Sequence, residues 1–290
     1  MKRFVFLLIA LLLLSGCTAP AQEADIAATT LPVYEFTSRL CEGTGLTVTR
    51  LITESVSCLH DYSLSVRQVK AVETADTVVL SGAGLEEFME DLLDGRDVID
   101  ASAGIELLTC EHDHEHDHEE GHHHHEADSH IWLSPENAAI MCANICSALS
   151  RKYPQHEAAF TANLADLLSD IQALEAYGKE QLGSLSCRDI ITFHDGFAYF
   201  AQSFDLHILA AVEEESGSEA SARELKELIE VIHKHDLPAI FTEKSGSVSA
   251  AGIISRETGV NIYQLDMAMA GSSWFEAMYH NIDTIKEALS

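Results

Sequence analysis

Residues 155–182, QHEAAFTANLADLLSDIQALEAYGKEQL, carry one uninterrupted helical pattern. Leu164, Leu167, Leu168, Ile171, Leu174 and Tyr177 recur at spacings of three and four, which puts an apolar stripe on one face. The stretch has no Pro and one Gly, near its end. A helix of about 27 residues reaches roughly 40 Å at 1.5 Å per residue. That is long enough to run along two lobes, and the flanking sequence supplies them.

On the N-terminal side, strand-like and helix-like segments alternate. Strands are expected at Ala27–Leu31, Leu46–Ile52, Thr77–Ser81 and Val98–Asp100. Helices are expected from Pro32 to about Glu42, over Ser63–Ala75, from the Gly82-Ala83-Gly84 turn to about Leu93, and from Pro135 to about Lys152. After Gly183 the alternation resumes, with strands at Asp189–Phe193, His207–Val212, Ala239–Glu243 and Asn261–Leu265. Helices there are expected at Phe197–Ser203, Ala220–His235, Val248–Thr258 and Trp274–Leu289. This order predicts an α/β fold with parallel sheets and covering helices. The organisation expected is an N-terminal lobe over 25–153, a bridging helix over 154–184 and a C-terminal lobe over 185–290.

The start of the chain reads as an export signal. Lys2 and Arg3 precede an apolar run from Phe4 to Leu14, shorter than the about 20 residues a spanning helix needs. Leu14-Ser15-Gly16-Cys17 resembles a bacterial lipobox, so residues 1–16 are expected to be removed, Cys17 lipidated, and 17–24 left as a tether. The mature protein is then an extracytoplasmic body held at a membrane by lipid. With 47 acidic and 17 basic residues, the formal net charge is −30. Such a surface repels phosphate backbones and excludes nucleic acid as a natural partner, while favouring cations. Besides Cys17, thiols stand at Cys41, Cys58, Cys110, Cys142, Cys146 and Cys187, and their pairing is not readable from one sequence.

Residues 111–129 break the pattern with almost only His, Asp and Glu, and are expected to form a loop. His112, His114, His116 and His118 alternate with acids, and His122, His123, His124 and His125 are consecutive. Imidazole tracts of this kind bind zinc, copper or nickel with little geometric selectivity, whereas calcium and magnesium prefer oxygen shells. Elsewhere, His60, His130, His194 and Asp266 lie at or near predicted strand ends, where open parallel sheets bind ligands. If the lobes face each other, three imidazoles and a carboxylate form a four-coordinate shell suited to zinc. Each residue alone reads equally well as a hydrogen-bonded structural group, and Asp266 as a helix cap.

Several segments together resemble the zinc-binding solute receptors of bacterial ABC importers, a cluster that also contains manganese receptors. Ser129-His130-Ile131-Trp132-Leu133-Ser134-Pro135 is similar to that family's D-P-H-I-W-L-S-P segment, and Phe193-His194-Asp195-Gly196-Phe197-Ala198-Tyr199-Phe200 to its F-H-D-A-Y-x-Y-F segment. Gly82-Ala83-Gly84-Leu85-Glu86 resembles its G-x-G-L-E turn, and Glu219-Ala220-Ser221 its E-P-S segment. The resemblance implies two α/β lobes bridged by a stiff helix, with His60, His130 and His194 as metal ligands and Asp266 or water completing the shell. It also implies an ABC permease as partner, a monomeric receptor and no enzymatic activity. Two departures stand out. Val56-Ser57-Cys58-Leu59-His60 replaces the commoner D-P-H form, and Ser129 replaces the Pro before His130, which predicts a looser backbone there.

Manganese members place a carboxylate where this chain has His194, so the third nitrogen tilts the site toward zinc without excluding nickel, cobalt or copper. A lipid-anchored adhesin is a second reading, although no adhesive repeat is present. A zinc hydrolase using Glu243 or Asp195 as base is a third, disfavoured by a closed shell and the absence of an H-E-x-x-H motif.

Overall fold

The structure is a computed structural model that describes residues 24–54, 59, 62–109, 127–213, 221–244 and 249–290. In chain order the first half runs β1 (Ile26–Ala28), α1 (Leu31–Leu40), β2 (Val48–Arg50), α2 (Val66–Thr74), β3 (Thr77–Leu80), α3 (Glu90–Leu93), β4 (Val98–Asp100) and α4 (Pro135–Lys152). The long helix α5 covers Glu157–Leu182. The second half runs β5 (Asp189–His194), α6 (Ala198–Ser203), β6 (His207–Glu213), α7 (Ala222–His235), β7 (Ala239–Glu243), α8 (Ser249–Thr258), β8 (Asn261–Leu265) and α9 (Trp274–Leu289).

The strands form two four-stranded parallel sheets, ordered β2-β1-β3-β4 and β6-β5-β7-β8. Each order reverses direction once, between β1 and β3 in the first sheet and between β5 and β7 in the second. Crossover helices diverge at such a point and leave a crevice at the carboxyl ends of the strands. The topology therefore marks two sets of residues as candidates: those after β1 and β3, and those ending β5 and β7.

Local chemistry explains where the elements begin. Ser65 Oγ accepts from Gln68 N while Gln68 Oε1 accepts from Ser65 N, so α2 starts at Val66 and not at Ser63. The same reciprocal bond between Ser221 and Glu224 moves the start of α7 to Ala222. Between Gly84 and Leu93 a continuous helix is replaced by a turn, a 3-10 segment at Glu87–Met89 and the single turn α3. Gly82, with φ +83°, starts that turn where a Cβ would lie 2.0 Å from Asp100 Oδ1.

Helix α5 buries Phe160, Leu167, Ile171, Leu174, Gly178 and Leu182 against α1, α4 and α9. The buried stripe is centred slightly off the expected one, leaving Leu164, Leu168 and Tyr177 half-buried. Arg39 of α1 holds Asp170 at 2.6 Å and Tyr177 donates to Asp283 of α9 at 2.6 Å, so the helix is tied to both halves.

Further bonds cross directly between the halves. Trp132 Nε1 donates to Met267 O at 2.8 Å, and Trp274 Nε1 donates to Trp132 O at 2.9 Å. Phe36 packs edge-on against Trp274 with centroids 5.2 Å apart. The Glu35 carboxylate accepts from Ser273 Oγ at 2.9 Å and from Trp274 N, capping α9 from the opposite lobe. Burial raises the Glu35 pKa above its ordinary value, while the bonds from Trp274 and Ser273 oppose that rise. Replacing Glu35 by Ala leaves the α9 amide without this acceptor and is expected to cost about 2 kcal/mol. Thermal unfolding of the variant measures it.

Glu86 is a second buried carboxylate, at the carboxyl ends of β1 and β3. It accepts from Thr29 Oγ1 at 2.6 Å, Ser81 N at 2.8 Å and Gly82 N at 3.0 Å. Burial nonetheless pushes its pKa from 4.5 up to about 7. The folded state thus binds a proton that the unfolded state releases between these values, so stability is highest below pH 4.5 for this group and is lost as pH rises to 7. Urea unfolding across that range should show this decline in the wild type and a flatter profile in Glu86→Gln.

Candidate metal centre

The second sheet's reversal point delivers the site. His194 ends β5 and Glu243 ends β7, so their side chains emerge side by side above the crevice. His130 arrives from the other half, on the segment leading into α4. That segment is a 3-10 turn, Ile131–Leu133. Ser134 caps α4 by accepting from Asn137 N at 3.3 Å, and Pro135 occupies the first helical position.

The backbone before His130 is not loosened by the missing Pro. Asp128 Oδ1 accepts from His130 N at 2.9 Å, which closes a side-chain turn over Ser129. Tyr199, from the F-H-D segment, donates to Asp128 O at 2.9 Å and accepts from Leu108 N at 2.9 Å. Trp132, two residues on, is fully buried and bonded to Met267 O.

The two imidazoles meet with Nε2 atoms 3.1 Å apart and ring planes nearly perpendicular. His194 is 2% exposed and His130 9% exposed. Behind each ring stands a carboxylate: Asp128 Oδ1 lies 2.8 Å from His130 Nδ1, and Glu243 Oε1 lies 3.4 Å from His194 Nδ1. The first is a hydrogen bond and the second an ion-pair contact at longer range. An ionised carboxylate only accepts, so His130 Nδ1 is the protonated nitrogen and its Nε2 carries the lone pair. His130 Nε2 accepts from His194 Nε2–H across the 3.1 Å contact, and a cation bound between the two nitrogens takes that proton's place. Nitrogens bound at 2.0–2.1 Å to a tetrahedral zinc lie about 3.3–3.4 Å apart, so only a small separation of the rings is required. The backbone at Gly196 closes one side, since a Cβ there would stand 2.7 Å from His194 Cδ2 and Met267 Cε and 3.0 Å from His130 Cδ2.

Of the four residues expected to form the shell, the structure brings His130 and His194 together. His60 lies outside the described residues, as do Cys17, Cys58, Cys110, the imidazole tract from His112 to His125, and Glu219. Asp266 directly follows β8 as expected, but its carboxylate faces Lys244 Nζ at 2.9 Å and accepts from Ala268 N at 2.8 Å. Among the described residues, no three His, Cys, Asp or Glu side chains already surround a common point. Cys41, Cys142, Cys146 and Cys187 are free thiols. Burial raises the Cys41 pKa to about 12 and that of Cys142 further, so both are inert small hydrophobes. The roles of Asp128 and Glu243 behind the imidazoles were missed in the sequence reading. The available signals were an acid two residues before His130 and an acid at a strand end beside the reversal point.

The chain matches known proteins along nearly its full length. Residues 26–288 match the family model of the periplasmic zinc-uptake complex component A, ZnuA. The zinc-binding lipoprotein AdcA of Streptococcus pneumoniae serotype 4 is 31% identical over 307 aligned positions, covering 99% of this chain and 61% of that protein. The chain thus spans about three-fifths of the length of this relative. A crystal structure of ZnuA superposes with a TM-score of 0.79 at 27% identity, covering 92% of this chain and all of the other. The Zn(II)-bound ZnuA-like domain of Streptococcus pneumoniae AdcA gives 0.76 at 27% identity, covering 92% and 99%. The two parallel sheets, the long helix between them and this agreement in sequence and fold assign the chain to the ZnuA zinc-uptake family.

Proposed function

We propose that this protein is an extracytoplasmic receptor that captures zinc and delivers it to the permease of an ABC importer. The observation that carries the reading is the buried His130–His194 pair, its Nε2 atoms 3.1 Å apart and its Nδ1 atoms backed by Asp128 and Glu243. Carboxylate-backed imidazoles are the usual arrangement of zinc-binding histidines. His60 is the proposed third ligand, by its match to the family motif. Asp266 or water supplies the fourth position, and recruiting Asp266 requires its carboxylate to leave Lys244. Nitrogen donors favour zinc over manganese, and nickel, cobalt and copper are the competitors.

Zinc is cargo in this reading. The His and acid tract over 111–129 gathers it loosely near the crevice, and the inner imidazoles hold it tightly. Lipidation at Cys17 keeps the receptor, a monomer, beside its permease. No helix among the described residues is long and apolar enough to cross a membrane. The protein is not proposed to be an enzyme. Glu243, the best available general base, faces His194 Nδ1, the nitrogen directed away from the metal position, and so acts as a support.

In protein lacking 111–126, which keeps Asp128 behind His130, His194→Ala is expected to abolish the single tight zinc equivalent seen by calorimetry, and an unchanged isotherm would remove His194 from the site. Glu243→Gln should retain the equivalent with affinity lowered about 10–100-fold. Zinc affinity should weaken as pH falls, because imidazole nitrogens take up protons in competition with metal.

A further inference from the structure

A second cluster of imidazoles lies at the opposite end of β5. Asp189 opens that strand and is paired in register with His207, the first residue of β6. His235 is the last residue of α7. The Asp189 carboxylate takes both rings, with Oδ1 3.2 Å from His207 Nδ1 and Oδ2 3.2 Å from His235 Nδ1. All three side chains are partly exposed, at 30% for Asp189, 63% for His207 and 31% for His235. They line a cleft of about 510 Å³, together with Cys187, Arg188 and Asp236. Five residue steps along β5 separate Asp189 from His194, or about 17 Å at strand rise, so this cluster is separate from the inner pair.

The chemistry repeats that of the inner pair. One ionised carboxylate accepts from both Nδ1–H groups, which fixes the tautomer of each ring and leaves each Nε2 as the lone-pair nitrogen. The half-buried thiol of Cys187 stands beside them, 3.6 Å from Asp189 O, and offers a softer donor. Arg188 is not a counter-charge for this cleft, because its guanidinium donates to the carbonyls of Leu182, Gly183, Phe204 and Asp205. As an ion pair between exposed groups, the trio would add little to stability.

We propose that His207 and His235, oriented by Asp189, form a second and weaker site for a borderline divalent cation such as zinc, nickel or copper. Because no three donors yet converge there, the shell is finished by water or by rotation of Cys187. Imidazole and thiol donors exclude magnesium and calcium as the natural occupants, and the net charge of −30 enriches such cations at the surface. The site stands independently of the inner centre and of its cargo.

Zinc titration of the full chain tests it. The wild type should bind one equivalent more than His207→Gln/His235→Gln, with the tightest equivalent unchanged. Asp189→Asn should retain the extra equivalent at an affinity about 10–100-fold lower. Zinc-edge anomalous scattering from zinc-soaked wild-type crystals provides a reading that does not depend on the variants folding, with a peak expected within bonding distance of both rings. Equal stoichiometry in wild type and double variant, or no peak at saturating zinc, overturns the proposal. So does a pH-dependent loss of melting temperature in the double variant with zinc stoichiometry unchanged, which would make the trio a structural clasp.

Discussion

Two indole hydrogen bonds set the relation between the halves of this molecule. Trp132 donates across to Met267 O, and Trp274 donates back to Trp132 O. Both side chains are fully buried, so neither bond competes with water, and losing either would strand a carbonyl in the interior. Trp132 lies two residues from His130, and Met267 packs on the Gly196 backbone next to His194. The contact that joins the lobes is therefore the contact that brings the imidazoles together. Glu35, capping α9 from the other lobe, and the ties of α5 to α1 and α9 hold the same geometry from further out.

This construction holds the two Nε2 atoms at a distance suited to a common ion. Rings free to turn would trade the Nε2–Nε2 approach for other partners. Here Asp128 fixes one ring, Glu243 faces the other, and the Gly196 backbone removes the space into which either could swing. A cation takes the place of the shared proton without large movement of either ring, so part of the preorganisation is built in by the fold. Asp266, by contrast, is satisfied by Lys244 and the Ala268 amide, and its joining the shell entails an exchange of partners.

Much of this was legible in the sequence. The apolar spacing over 155–182 and the strand–helix alternation on each side give two parallel sheets and a long connecting helix, and α4, β4, β7, β8 and α9 fall where expected. Propensity was less informative where side chains decide the boundary, as at Ser65 and Ser221, whose capping bonds shorten α2 and α7. Ile131-Trp132-Leu133 forms a 3-10 turn in which Trp132 is claimed by the other lobe. The imidazole pair was anticipated from strand ends and motif. Its supporting carboxylates were not, since neither the 3.4 Å approach of Glu243 nor the Asp128 turn follows from spacing alone.

In the proposed function a metal sits between the Nε2 atoms of His130 and His194. The most direct measurement is a crystal structure of zinc-loaded protein with anomalous data collected on both sides of the zinc edge. A fully occupied zinc bound to both Nε2 atoms at about 2.0–2.1 Å is expected, with Asp128 and Glu243 still behind the rings. A strong zinc peak elsewhere, with this pair unliganded and still in contact, would contradict it.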